Sequence, residues 1–126
     1  MAQGNRQAHH QTIMPYLILN NVKGFISFAK KVFGAKEVLI HHQEGTEDIM
    51  HAEISINGST VMMGQASEDW ATDNGGMYIY VDDIDTTYET ALSNGATSVM
   101  PIEDKEYGRS GGIKDPYGNT WWLVNE

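Results

Sequence analysis

Tyr16-Leu-Ile-Leu-Asn-Asn-Val22 and Tyr78-Ile-Tyr-Val-Asp-Asp-Ile84 are two versions of one phrase: a tyrosine, an apolar run, two Asn or Asp residues and a β-branched apolar residue. A short apolar run that ends in helix-capping side chains reads as a strand passing directly into a helix. The likeness extends downstream in the same order. Gly34-Ala-Lys-Glu-Val38 answers Gly95-Ala-Thr-Ser-Val99. Asn57-Gly-Ser-Thr60 before Val61-Met62-Met63 answers Tyr117-Gly-Asn-Thr120 before Trp121-Trp122-Leu123. Three matches in register make the chain an internal duplication, and the fold follows from one half.

In the first half Val22, Phe25, Ile26, Ala29, Val32 and Phe33 recur at helical spacing, so this segment buries one face. Asn20 or Asn21 caps its start, and Gly34 supplies the left-handed residue that ends it. Strand-like stretches follow at Glu37 to His42, Ile49 to Ile56 and Thr60 to Met63, with Asn57-Gly58 as a tight turn. In the second half Asp82 or Asp83 caps a helix that turns Ile84, Tyr88, Ala91 and Leu92 inward and ends at Asn94-Gly95. Strands follow at Ser98 to Ile102, near Gly111 to Lys114 and at Thr120 to Val124, with a turn at Asp115-Pro-Tyr-Gly118. The predicted fold is α+β, a tandem pair of βαβββ modules in which each helix covers one face of a small sheet. Residues 1–12 read as a polar, flexible tail and 13–126 as a single domain: module 1 about 13–65, a linker at 66–75 and module 2 about 76–126.

Composition narrows the function classes. A chain of 126 residues with 40% hydrophobic and 20% charged residues is an ordinary globular domain. Without cysteine there is no disulfide, thiolate zinc site or thiol nucleophile. The 17 acidic residues outnumber the 8 basic ones, and a net charge of −9 disfavours nucleic acid and anionic membrane as partners. No stretch approaches the roughly 18 apolar residues of a membrane span, nor does the N-terminus carry a secretory apolar core, so the expected compartment is the cytoplasm.

Few motifs carry chemistry. Gly108-Arg-Ser-Gly-Gly112 matches the G-x-S-x-G spacing of a nucleophile elbow, but strand and turn residues follow it and no histidine lies beyond Ser110. His9 and His10 sit in the predicted loose tail, where a flexible pair cannot pre-form a metal site. His41 and His42 point to opposite faces of their strand, whereas His51 and Glu53 share a face. Met50, Ala52, Ile54 and Ile56 alternate with His51, Glu53 and Ser55; one face of that strand belongs under the helix and the polar face looks away. Tyr16, Tyr78, Tyr80 and Trp122 alternate likewise with Leu17, Ile79, Val81 and Leu123, which places the four rings on the same side as His51 and Glu53. Aromatic walls with a few polar groups make a small-molecule pocket, and an acid among them favours a cation. Plain core or a subunit interface is the competing reading of those rings.

The repeat and several local motifs resemble the vicinal-oxygen-chelate superfamily of glyoxalase I, bleomycin resistance proteins and extradiol dioxygenases, most closely its PhnB-like branch. The marks are Pro15-Tyr-Leu, Phe28 to Gly34 with Ala35, Met50-His-Ala-Glu53, Asn94-Gly-Ala96, Tyr107-Gly-Arg109, Asp115-Pro-Tyr-Gly118 and Trp121, spread over Ile13 to Glu126. The resemblance implies sheets that pair into a curved cup, completed in a homodimer. It also implies four metal-ligand positions, which fall on Met14, on Met62 or Met63, on Gly76 and on Trp122. None is a hard or borderline ligand for Zn²⁺, Ni²⁺ or Fe²⁺.

The reading is therefore a small-molecule-binding protein with no metal and no other cofactor, whose dimeric cup holds an aromatic ligand, a cation preferred, against Tyr16, His51, Glu53, Tyr78, Tyr80 and Trp122. No catalytic residue is assigned. One alternative is an enzyme using a displaced metal at His51, Glu53 and His41 or His42, or acid–base chemistry through His51 and Glu53. A second is a protein-interaction module that uses the aromatic face.

Overall fold

The computed structural model describes residues 4–126. Each half contains the expected elements. Module 1 runs β1 (Tyr16–Leu19), α1 (Val22–Phe33), β2 (Lys36–His42), β3 (Ile49–Ile56) and β4 (Ser59–Gln65). Module 2 runs β5 (Gly76–Val81), α2 (Ile84–Ser93), β6 (Thr97–Lys105), β7 (Gly108–Lys114) and β8 (Thr120–Asn125). They form two four-stranded sheets of order β1-β4-β3-β2 and β5-β8-β7-β6. In each, the first strand pairs parallel to the last and the remaining pairs are antiparallel. Among the described residues no helix is long and apolar enough to cross a membrane.

Local chemistry sets the boundaries. Asn21 Oδ1 accepts the Gly24 amide at 2.8 Å and Asp83 Oδ1 the Thr86 amide at 3.3 Å, so the second residue of each Asx pair is the cap. Gly34 closes α1 at φ 68°, and the amides of Gly34 and Ala35 donate to the carbonyls of Lys30 and Ala29. Asn57 and Gly58 have φ of 47° and 90°, the two left-handed residues that a tight hairpin turn matched to strand twist requires. That turn pairs Ile56 with Ser59 and so fixes Glu53 opposite Met62, on one face of the sheet. Pro101 lies within β6, where a missing N–H is tolerated because β6 is an edge strand with irregular register on either side of Met100.

The helix-side faces of both sheets share one core. Phe25, Ile54, Met63, Ile84, Ile113, Trp121 and Leu123 are all sealed in it. Trp121 joins the modules: its ring lies 4.4 Å from Phe33 and stacks at 6.4 Å on Phe25, both from α1. Its Nε1 donates to Asp115 Oδ2 at 2.9 Å. Buried Asp115 also accepts the amides of Tyr117 and Asn119, so one carboxylate organises the turn into β8. Arg109 binds Asp85 at the start of α2 and Asp104 on β6, tying the second helix to its sheet.

The G-x-S-x-G match has no catalytic context. Gly108–Lys114 is a strand throughout, Ser110 is buried, and its hydroxyl faces the Tyr107 hydroxyl.

Candidate functional site

The faces turned away from the helices carry the aromatic residues. On the first sheet Tyr16 and His51 lie side by side, ring centroids 5.6 Å apart. Tyr16 leans across β4, where Gly64 makes room: a Cβ there would stand 3.3 Å from its hydroxyl. On the second sheet Trp122 pairs in register with Tyr78 and lies over Gly112, where a Cβ would come within 2.9 Å of the indole. Tyr78 and Tyr80 meet edge to face at 5.7 Å. Trp122 is 38% exposed and Tyr16, Tyr78 and Tyr80 more than half, so these rings do not belong to the chain's core. The six predicted residues divide into Tyr16, His51 and Glu53 on one sheet and Tyr78, Tyr80 and Trp122 on the other, with no ring contact between the sets among the described residues.

Tyr16 and His51 open onto a groove of about 1140 Å³ walled by Met50, Trp70, Lys23 and Asp48 among others. Glu53 does not line it. Only 3% exposed, it lies behind His51. His51 Nε2 donates to Glu53 Oε2 at 2.9 Å, so in the neutral ring Nδ1 is the acceptor and the Tyr16 hydroxyl, 3.2 Å away, donates to it. Tyr16, His51 and Glu53 thus form a hydrogen-bonded relay from the groove to a buried carboxylate.

The other oxygen of Glu53 has partners that the sequence reading missed. His9 Nε2 and His10 Nε2 both lie 2.7 Å from Oε1. The segment predicted to be loose is held across the sheet at residues 9–11. The Thr60 hydroxyl donates to the His9 carbonyl, the Thr60 amide donates to Gln11 Oε1, and the His10 amide closes a turn onto the Gln7 carbonyl. The cause is an acid on the face turned away from the helix that needs donors to be buried. Met1 to Gln3, also assigned to that tail, lie outside the described residues. Burial pushes the Glu53 carboxyl up, but hydrogen bonds from His51, His10 and His9, with the charge of His10, outweigh it and hold the group down at about 2.

The alternative of a displaced metal site at His51, Glu53 and His41 or His42 is not assembled by the fold. His41 pairs across from His51, its ring 6.1 Å away and edge-on, and neither His41 nor His42 joins the cluster around Glu53. The metal positions implied by the family do not fit a metal. Register places Met62, not Met63, opposite Glu53 on the face turned away from the helix, while Met63 is fully buried under the helix. Trp122 and Gly76 occupy the equivalent positions of β8 and β5, and Met14 precedes β1. Two thioethers, an indole and a residue with no side chain do not bind a catalytic divalent ion.

Comparison with known proteins agrees with this architecture. Over 124 residues the chain is 32% identical to the uncharacterized protein Mb0911c of Mycobacterium bovis, covering 88% of this chain and 80% of that protein. Among solved structures it is similar to the PhnB protein of Bacillus cereus, with TM-score 0.75 at 21% identity over 92% of this chain and 100% of that one. It is also similar to TioX of Micromonospora sp. ML1, with TM-score 0.72 at 22% identity over 92% of this chain and 96% of that one. At these identities the two structures speak for the fold alone. The family model of glyoxalases, bleomycin resistance proteins and dioxygenases matches residues 8–123, nearly the whole duplicated unit. By this match, on the paired βαβββ modules that carry it, the chain belongs to the Glyoxalase/Bleomycin resistance protein/Dioxygenase superfamily.

Proposed function

We propose that the protein binds a small aromatic ligand in a cup completed by a second copy of the chain, without a metal at the positions its family uses for catalysis. The carrying observation is that its large outward rings gather on the helix-free faces of the two sheets. One set borders a groove of about 1140 Å³, and the other leaves Tyr78, Tyr80 and Trp122 uncovered. Exposed aromatic surface on this scale is costly for a monomer and marks a binding or assembly face. Pairing the faces in a dimer would cover the rings and enclose the groove. Asp48 and Glu47 at its wall and a net charge of −9 favour a cationic ligand, which the rings would hold by cation–π attraction. His51 presents a hydrogen-bonding edge, and Glu53 contributes through His51 rather than by contact. Native mass spectrometry of freshly purified protein, followed by thermal melts against a panel of aromatic cations and neutral aromatics, tests the reading. A bound small molecule or a melting point raised by panel members supports it; a wild-type melting point that no member moves refutes it.

A second reading, an acid–base enzyme, has the Tyr16–His51–Glu53 relay in its favour. A carboxylate behind an imidazole that faces a groove orients and charges a general base. Turnover of a ligand found by the first experiment, lost in His51→Ala, would select it.

A further inference from the structure

We propose that His9, His10 and Glu53 form a binding site for one divalent transition-metal ion of borderline softness, Zn²⁺ the natural occupant, away from the four positions implied by the family. The three candidate ligand atoms lie within 4.8 Å of one another, and each imidazole Nε2 is 2.7 Å from the same carboxylate oxygen. Zn²⁺ binds imidazole nitrogen and carboxylate oxygen at about 2.0–2.2 Å, which puts ligand atoms roughly 3.3 Å apart around a tetrahedral ion. Opening each 2.7 Å contact by about 0.6 Å admits the ion, a shift within reach of side-chain rotation. In the ion-free state both tail imidazoles crowd donated hydrogens onto one oxygen; a cation replaces both hydrogen bonds with direct coordination of all three groups.

The surroundings supply what a bare cluster lacks. A flexible histidine pair loses the ordering entropy when it captures a metal, but here the His9 carbonyl accepts the Thr60 hydroxyl, the Gln11 side chain accepts the Thr60 amide, and the His10 amide closes a turn onto the Gln7 carbonyl. Glu53 is buried and its second oxygen is held by His51, itself held by Tyr16, an outer shell that fixes the carboxylate's orientation. The donor set is two imidazoles and a carboxylate, three protein ligands that leave a coordination position open. This inference goes beyond the ligand-binding reading and does not depend on it. It also departs from the metal-free expectation drawn from the sequence, because that expectation left His9 and His10 in a loose tail.

The test uses the full chain without a polyhistidine tag, stripped with chelator. CoCl₂ is titrated against visible absorption and ZnCl₂ by calorimetry. Wild type should bind one equivalent of each ion and show the intense ligand-field bands of low-coordinate Co²⁺. The double variant His9→Ala/His10→Ala, whose changes lie outside every helix and strand, should bind at least about 100-fold more weakly. Glu53→Gln should weaken binding at least about 10-fold, His51→Ala about 10-fold as expected of an outer-shell contact, and His41→Ala/His42→Ala should leave it unchanged. Zn²⁺ should raise the melting temperature of wild type and not that of the tail variant, which reads the site even if Glu53→Gln fails to fold. The proposal is overturned if wild type and the tail variant bind Co²⁺ and Zn²⁺ with equal affinity, or if loss of His41 and His42 removes binding.

Discussion

Trp121 and Trp122 are neighbours in sequence on opposite faces of β8, and replacing each in turn by Ala separates the core from the outward face. Trp121 is 1% exposed, packs on Phe33 and Phe25, and donates to the buried Asp115 carboxylate at 2.9 Å. Truncating a buried Trp costs about 3–5 kcal/mol in lost burial and cavity. Losing a hydrogen bond to a charged group adds roughly 1–2 kcal/mol, tempered here because Asn119 Nδ2 still donates to the same oxygen. The total of about 4–6 kcal/mol approaches the whole stability of a small domain, so Trp121→Ala should be largely unfolded at 37 °C or nearly so. Trp122 is 38% exposed and rests on the flat strand backbone at Gly112, so its removal leaves a surface depression instead of a cavity. Its loss should cost the isolated chain no more than about 2 kcal/mol, the area term alone. Urea unfolding followed by circular dichroism measures both, with unchanged slopes showing that the same surface unfolds. If Trp122→Ala proved as destabilising as Trp121→Ala within a kilocalorie, in protein shown to be monomeric, the assignment of β8's outward face to a binding surface would be refuted.

Further expectations concern the same faces and their supports. Gly112→Ala puts a methyl 2.9 Å from the Trp122 ring, so it should cost about 1–2 kcal/mol, shift the near-ultraviolet circular dichroism and abolish any ligand-induced rise in melting temperature. Unchanged spectra would mean that the ring does not lie across β7. Glu53 makes acid stability informative. Its folded carboxyl is held at about 2 against an ordinary 4.5, so its contribution is fully present above pH 4.5 and disappears as pH falls toward 2. That contribution is about 3 kcal/mol by linkage. Chelated wild type should lose it across this window and Glu53→Gln should not; parallel pH profiles in urea unfolding would count against the coupling. Sedimentation at micromolar concentration should give twice the chain mass of 14.0 kDa, and a compact single-chain species would remove the shared cup.

The repeat was legible in the sequence because its signals are local. An apolar run of alternating faces, an Asx pair and a glycine each act within a few residues, and the duplication states them twice. Even the register left open between Met62 and Met63 was determined by the sequence. A two-residue Asn-Gly turn pairs Ile56 with Ser59, and counting back along both strands brings Glu53 opposite Met62. The tail was not legible, for an equally physical reason. His9 and His10 have no period, no cap and no turn of their own, and their partner lies 43–44 residues away on β3. Nothing local distinguishes them from solvated residues. The available signal was on the other side of the contact. Glu53 stands between Ala52 and Ile54 on a central strand, with Met62 as its cross-strand neighbour, and a carboxylate in that setting must find donors or leave the protein surface unpaired with water excluded. His51 alone could satisfy one oxygen. The second oxygen required a donor from a segment not otherwise committed, and in a chain with five histidines the uncommitted pair was His9-His10.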